Sequence, residues 1–84
     1  MDAAELREAV DAALAGDWHR AHSIVQRDER NAVACWIHAV LHKIEGDEAN
    51  SDYWYARTAH DYGEWKDARA ELFAIRDQLS RHVD

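Results

Sequence analysis

Apolar residues recur at helical spacing along most of the chain. Leu6, Ala9, Val10, Ala13 and Leu14 fall at i, i+3, i+4, i+7 and i+8, which predicts a helix over 2–15. Trp18, Ala21 and Val25 mark one face of a second helix, over 18–28, with His22 beside them. After the turn "RDERN", Asn31 can cap a third helix over 32–45. Asp47 opens a fourth, over 48–61, and Trp65, Ala68, Leu72, Ile75 and Leu79 keep register through a fifth, over 64–82. No segment alternates polar and apolar residues in the manner of a half-buried strand. The pattern predicts one all-α domain, 1–84, of about five short helices, antiparallel because the turns between them are so short.

The glycines support these divisions. Gly16-Asp17, Gly46-Asp47 and Gly63-Glu64 each pair a residue suited to closing a helix with an acid suited to opening the next. The starts resemble one another as well. "GDWHRAHSIV" and "GEWKDARAELF" share a glycine, an acid, a tryptophan and an alanine three residues later, and "GDEANSDYWY" is a weaker copy with Ser51 at the small position.

This order of glycine, acid, aromatic and small residue resembles the turn and second helix of tetratricopeptide hairpins. With Gly46 placed on the turn glycine, the resemblance puts Ala39 where two helices approach closely, Ser51 on the small position and Tyr55 on the large aromatic one. His38 and His42 would then stand where large apolar groups are usual, and Cys35 would replace an aromatic. The match runs from Gly16 to Leu72 and spans about one and a half to two units. It implies a surface for a protein partner or for self-association, since about three repeats are usual in a free-standing array. The pattern "GDW…AH…WIHA.LH..EGD…YWY" is also similar to short bacterial proteins of unassigned activity.

Composition narrows the function classes. The 84 residues contain no proline, three glycines and one cysteine, and the formal net charge is −7. Acidic and basic residues are mixed along the chain, so there is no basic stripe to neutralise nucleic-acid phosphates or to hold an anionic membrane. No apolar run approaches membrane-spanning length. The start "MDAAELREAV" lacks the basic and apolar regions of a signal peptide, and the lone Cys35 sits in an apolar run. A cytoplasmic, reducing setting is the expectation, with Cys35 as a small buried hydrophobe.

Two stretches carry candidate chemistry. In "WIHAVLHKIEGD", His38 and His42 lie about 40° apart on a helical wheel, with Glu45 about 20° to the other side of His38. Lys43 is the single charged residue from Ala32 to Ile44, so this helix should be largely buried. His22 can reach the same space from the second helix. A divalent-metal or small-ligand site of His22, His38 and His42, with Glu45 or Tyr55 near it, is therefore allowed. Position 39 is Ala, which excludes the H-E-x-x-H arrangement of zinc peptidases. Against a ligand role, the apolar side centred on Val33, Ile37, Val40 and Ile44 lies more than about 100° from His38. That favours structural or surface histidines, with His42 facing solvent or the next helix. His19 falls on a polar side, while His60 and His82 suit helix C-termini.

The second stretch is "DYWYAR". Tyr53, Trp54 and Tyr55 span about 200° of a helix, so one face cannot bury all three. Trp54 is the expected exposed anchor of a contact surface, with Tyr53 beside it and Arg57 as a carboxylate partner. No phosphate loop, nucleophile–base pair or cysteine pair is present, so nothing points to an enzyme. The expected function is protein–protein interaction or self-assembly. The alternative is metal or small-ligand binding at the three histidines.

Overall fold

Side-chain caps set the helix starts. The computed structural model describes residues 1–81, and its helices are α1 (Ala3–Leu14), α2 (Trp18–Val25), α3 (Ala32–Ile44), α4 (Glu48–Tyr55) and α5 (Ala68–Arg81). Asp2 and Glu5 form a reciprocal capping box on α1. Asp17, Asn31 and Asp47 each accept the amide three residues ahead, at 3.2, 3.0 and 3.1 Å, and so open α2, α3 and α4. Gly16 and Gly46 both have φ of +83°, the left-handed conformation that reverses the chain between paired helices. The described residues contain helices and no strand, as the apolar spacing predicts.

The chain between α4 and α5 departs from expectation. The fourth helix ends at Tyr55, short of 61, and the fifth begins at Ala68, after 64. Residue 82, the expected end of that helix, lies outside the described residues, as does the C-terminal role expected for His82. Local side-chain bonds take over the backbone in this gap. The Thr58 hydroxyl donates to the Tyr55 carbonyl at 2.8 Å and accepts from the His60 amide at 3.0 Å. Asp61 accepts from the Gly63 amide, and Asp67 accepts from the Arg69 amide to open α5. Such bonds compete with helical ones and stop α4 from running on. Gly63 sits in a short 3-10 turn, Tyr62–Glu64, without positive φ, so its likeness to the other two glycines is one of sequence alone.

α1 packs on α2 and α3 packs on α4, giving two hairpins. At the second of these, Ser51 Oγ donates to the Ala39 carbonyl at 2.7 Å, and both residues are fully buried. α5 returns to lie across α1 and α3, the first helix of each hairpin. α3 is therefore in contact with all four other helices, and every residue from Ala34 to His42 is buried. Leu6, Val10, Ile24, Ile37, Leu41, Leu72 and Ile75 form the bulk of the core around it. No helix among the described residues is long and apolar enough to cross a membrane.

Candidate metal centre

Of the two surroundings expected for His42, solvent or the next helix, the central position of α3 gives the second. His38 and His42 are 2% and 6% exposed, on the side of α3 that meets α2 and α4. The wheel centred on Val33, Ile37, Val40 and Ile44 finds one buried side, with Ile37 and Val40 0% exposed and Ile44 emerging at 47%, and misses the second, which carries His38 and His42. A helix covered on all sides has no solvent face for the wheel to find.

α2 brings the third histidine. Trp18 crosses to α3 and donates its indole N–H to the Leu41 carbonyl at 2.7 Å. One turn further on, the half-buried His22 ring stacks on Trp18, with centroids 4.5 Å apart. That places His22 Nε2 3.1 Å from His38 Nε2. One ring nitrogen from each of His22, His38 and His42 lies within 4.8 Å of the other two. His38 and His42, one turn apart, lie face to face at 5.0 Å, and Trp54 covers the far face of His38 at 3.9 Å. Three imidazoles thus converge between two tryptophans.

The surroundings also fix the charge of the rings. Burial, then the neighbouring His22 and His42, drives the His38 pKa down to about 3. Burial first, and His42 second, lowers that of His22 as well. Neutral imidazole is the form that donates a lone pair to a metal. His42 Nδ1 lies 2.5 Å from a Glu45 carboxylate oxygen and donates its proton there, which leaves Nε2 as the nitrogen available to a ligand. Glu45 is half exposed at the C-terminus of α3 and belongs to the outer side of this cluster.

The other expected site residues fall elsewhere. Tyr55 is remote in role from the histidines. Its hydroxyl donates to Glu71 Oε2 at 2.7 Å, and burial followed by the Glu71 contact raises its pKa. Trp54 is 8% exposed and packs on His38, so it is not the exposed aromatic of this stretch; Tyr53 is 53% exposed. Arg57 is exposed and, among the described residues, has no carboxylate partner: it donates to the Tyr53 hydroxyl at 2.7 Å, and its guanidinium lies 5.0 Å from the Trp54 ring centre. Cys35 is buried as expected, with its thiol directed at the Glu29 carbonyl and its pKa raised by burial. His60 lies past α4, stacked on Trp36 at 3.7 Å, and His19 is exposed.

One buried group escaped the sequence reading altogether. Glu71 is 0% exposed and accepts from Trp36 Nε1 at 2.8 Å, Lys43 Nζ at 2.8 Å and Tyr55 at 2.7 Å. Lys43 also donates to the Trp65 carbonyl at 3.0 Å and lies over the Tyr55 and Tyr62 rings. A signal existed: Glu71 stands at i+3 from Ala68 in the apolar stripe of α5, and Lys43 is the lone charge of α3.

Comparison of the chain with protein-family models, with curated proteins and with solved structures finds no match.

Proposed function

We propose that this protein binds one divalent first-row transition-metal ion of the zinc class through His22, His38 and His42. The observation that carries the reading is the convergence of three buried or half-buried imidazoles from two helices, two of them with Nε2 atoms 3.1 Å apart. Tetrahedral coordination with metal–nitrogen bonds of 2.0–2.1 Å asks for nitrogens about 3.3 Å apart. The His22–His38 pair, at 3.1 Å, is close to that spacing, and a ring nitrogen of His42 lies within 4.8 Å of both. An all-imidazole donor set suits zinc, copper and nickel and is a poor host for calcium or magnesium. The Glu45 carboxylate behind His42 is the usual outer support of a metal-bound histidine.

Calorimetric titration of the metal-free chain with zinc tests this. One equivalent of zinc should bind and magnesium should not, and His22→Ala should lower zinc affinity by at least tenfold. His22 is the half-buried member, so this variant should keep its fold, as circular dichroism will report. Quenching of Trp18 and Trp54 fluorescence by copper gives an independent readout, since both rings stack on cluster histidines. Absence of stoichiometric binding, or a His22→Ala variant that binds like the parent, overturns the proposal.

A protein-contact role retains one specific support, the exposure of Tyr53 beside Arg57 on the outer side of α4. The partner in this second reading is another copy of the chain. Sedimentation should then show association that rises with concentration and falls in Tyr53→Ser. A monomer at all concentrations removes this reading.

A further inference from the structure

Resting on the metal-binding reading above, we infer that the ion's fourth coordination position belongs to an exchangeable small anion, making the centre an anion-binding site. Three observations lead there. The first is the donor count. Among the described residues, the convergent group contains His22, His38 and His42 and no fourth histidine, cysteine or carboxylate within the same 4.8 Å. A zinc-class ion bound by three protein nitrogens takes a fourth ligand from outside the protein. Glu45 is the nearest carboxylate to the trio by its bond to His42, and that bond holds it on the outer side, at Nδ1.

The second is charge. Imidazole ligands bring no negative charge to the ion, and the Glu45 carboxylate is already engaged at His42 Nδ1. Between two tryptophan faces, an anion on the ion gains more than it would in water, because the surroundings screen charge poorly.

The third is access and size. His38 and His42 are buried, so solvent reaches the trio at half-buried His22. With two of the three rings buried and the third half-buried, a ligand that joins them from outside has to be small. The ligand class is therefore a small anion that binds through one atom.

Cobalt in place of zinc makes the test visible, because its d–d absorption responds to the number and kind of ligands. The full chain is loaded with one equivalent of cobalt and titrated with azide, with inorganic phosphate as the bulkier probe. A saturable azide-induced band shift at one anion per cobalt is expected, much weaker with phosphate. Glu45→Gln should shift in the same way, and His22→Ala should lose both the band and its response. If cobalt binds with an intense band that azide leaves unmoved, the anion site is wrong while the metal centre stands. If azide acts only on Glu45→Gln, then Glu45 occupies the fourth position and the inference is likewise wrong. If cobalt fails to bind at all, the metal reading itself falls, and this one with it.

Discussion

α3 presents two buried polar clusters, and they solve the burial problem in opposite ways. Around Glu71, charge is retained and answered: one carboxylate accepts three donors, from Trp36, Lys43 and Tyr55, and the lysine ammonium lies 2.8 Å away. Around His38, charge is removed: burial and neighbouring imidazoles hold the ring neutral, and His22 is its hydrogen-bond partner. A network whose acceptors are all engaged is complete and serves the fold. The three rings have no buried carboxylate among them, and the proposal above rests on that difference. Proximity of polar groups alone would have ranked the two equally.

Removing one partner breaks the charged cluster hardest. Glu71→Ala leaves the Lys43 ammonium and two further donors buried without their acceptor, and should cost about 3–5 kcal/mol in urea unfolding. For a domain of this size, that is a large part of the total stability. Zinc cannot act through Glu71, so a Glu71→Gln variant that folds should still bind the ion.

Acid separates the clusters next. In the folded state the His38 pKa is about 3, against an ordinary 6.5. Between those values the unfolded chain takes up a proton that the folded chain refuses. The contribution is thus intact above pH ~6.5 and lost as pH falls toward ~3, at about 1.4 kcal/mol per unit of separation. Metal-free protein should lose a few kcal/mol over this range beyond what a His38→Leu variant loses. Parallel stability curves for the two proteins would contradict the neutral, buried ring.

The smallest effect sharpens the contrast most. At neutral pH, His38→Leu replaces a neutral ring by an apolar group and should change metal-free stability by no more than about 1 kcal/mol. Its zinc binding should nevertheless be lost. A variant that loses as much stability as Glu71→Ala would place the histidines among the structural groups.

Much of the scaffold was legible in local sequence. Asp17, Asn31 and Asp47 as caps, and Gly16 and Gly46 as reversals, act over three or four residues. Gly63-Glu64-Trp65 repeats the order of glycine, acid and tryptophan without the same structure, because Thr58, Asp61 and Asp67 bind the backbone around it. The i,i+4 spacing of His38 and His42 was equally plain. That the helix would be largely buried was legible too, from its single charge; that both histidines would be covered was not, since it depends on four helices closing over α3. The stacking of Trp54 on His38 likewise needs the turn at Gly46 to bring α4 back along α3. Periodicity assigns one buried face to each helix, and the central helix of this fold has more than one.

Crystallography of the zinc-loaded chain, with anomalous scattering measured at the zinc edge, tests the central claim most directly. One peak is expected within about 2.0–2.1 Å of a ring nitrogen from each of His22, His38 and His42, with Glu45 still on His42 Nδ1. No peak at the trio, or a peak confined to His42 with the exposed Glu45 and Asp47, would contradict it.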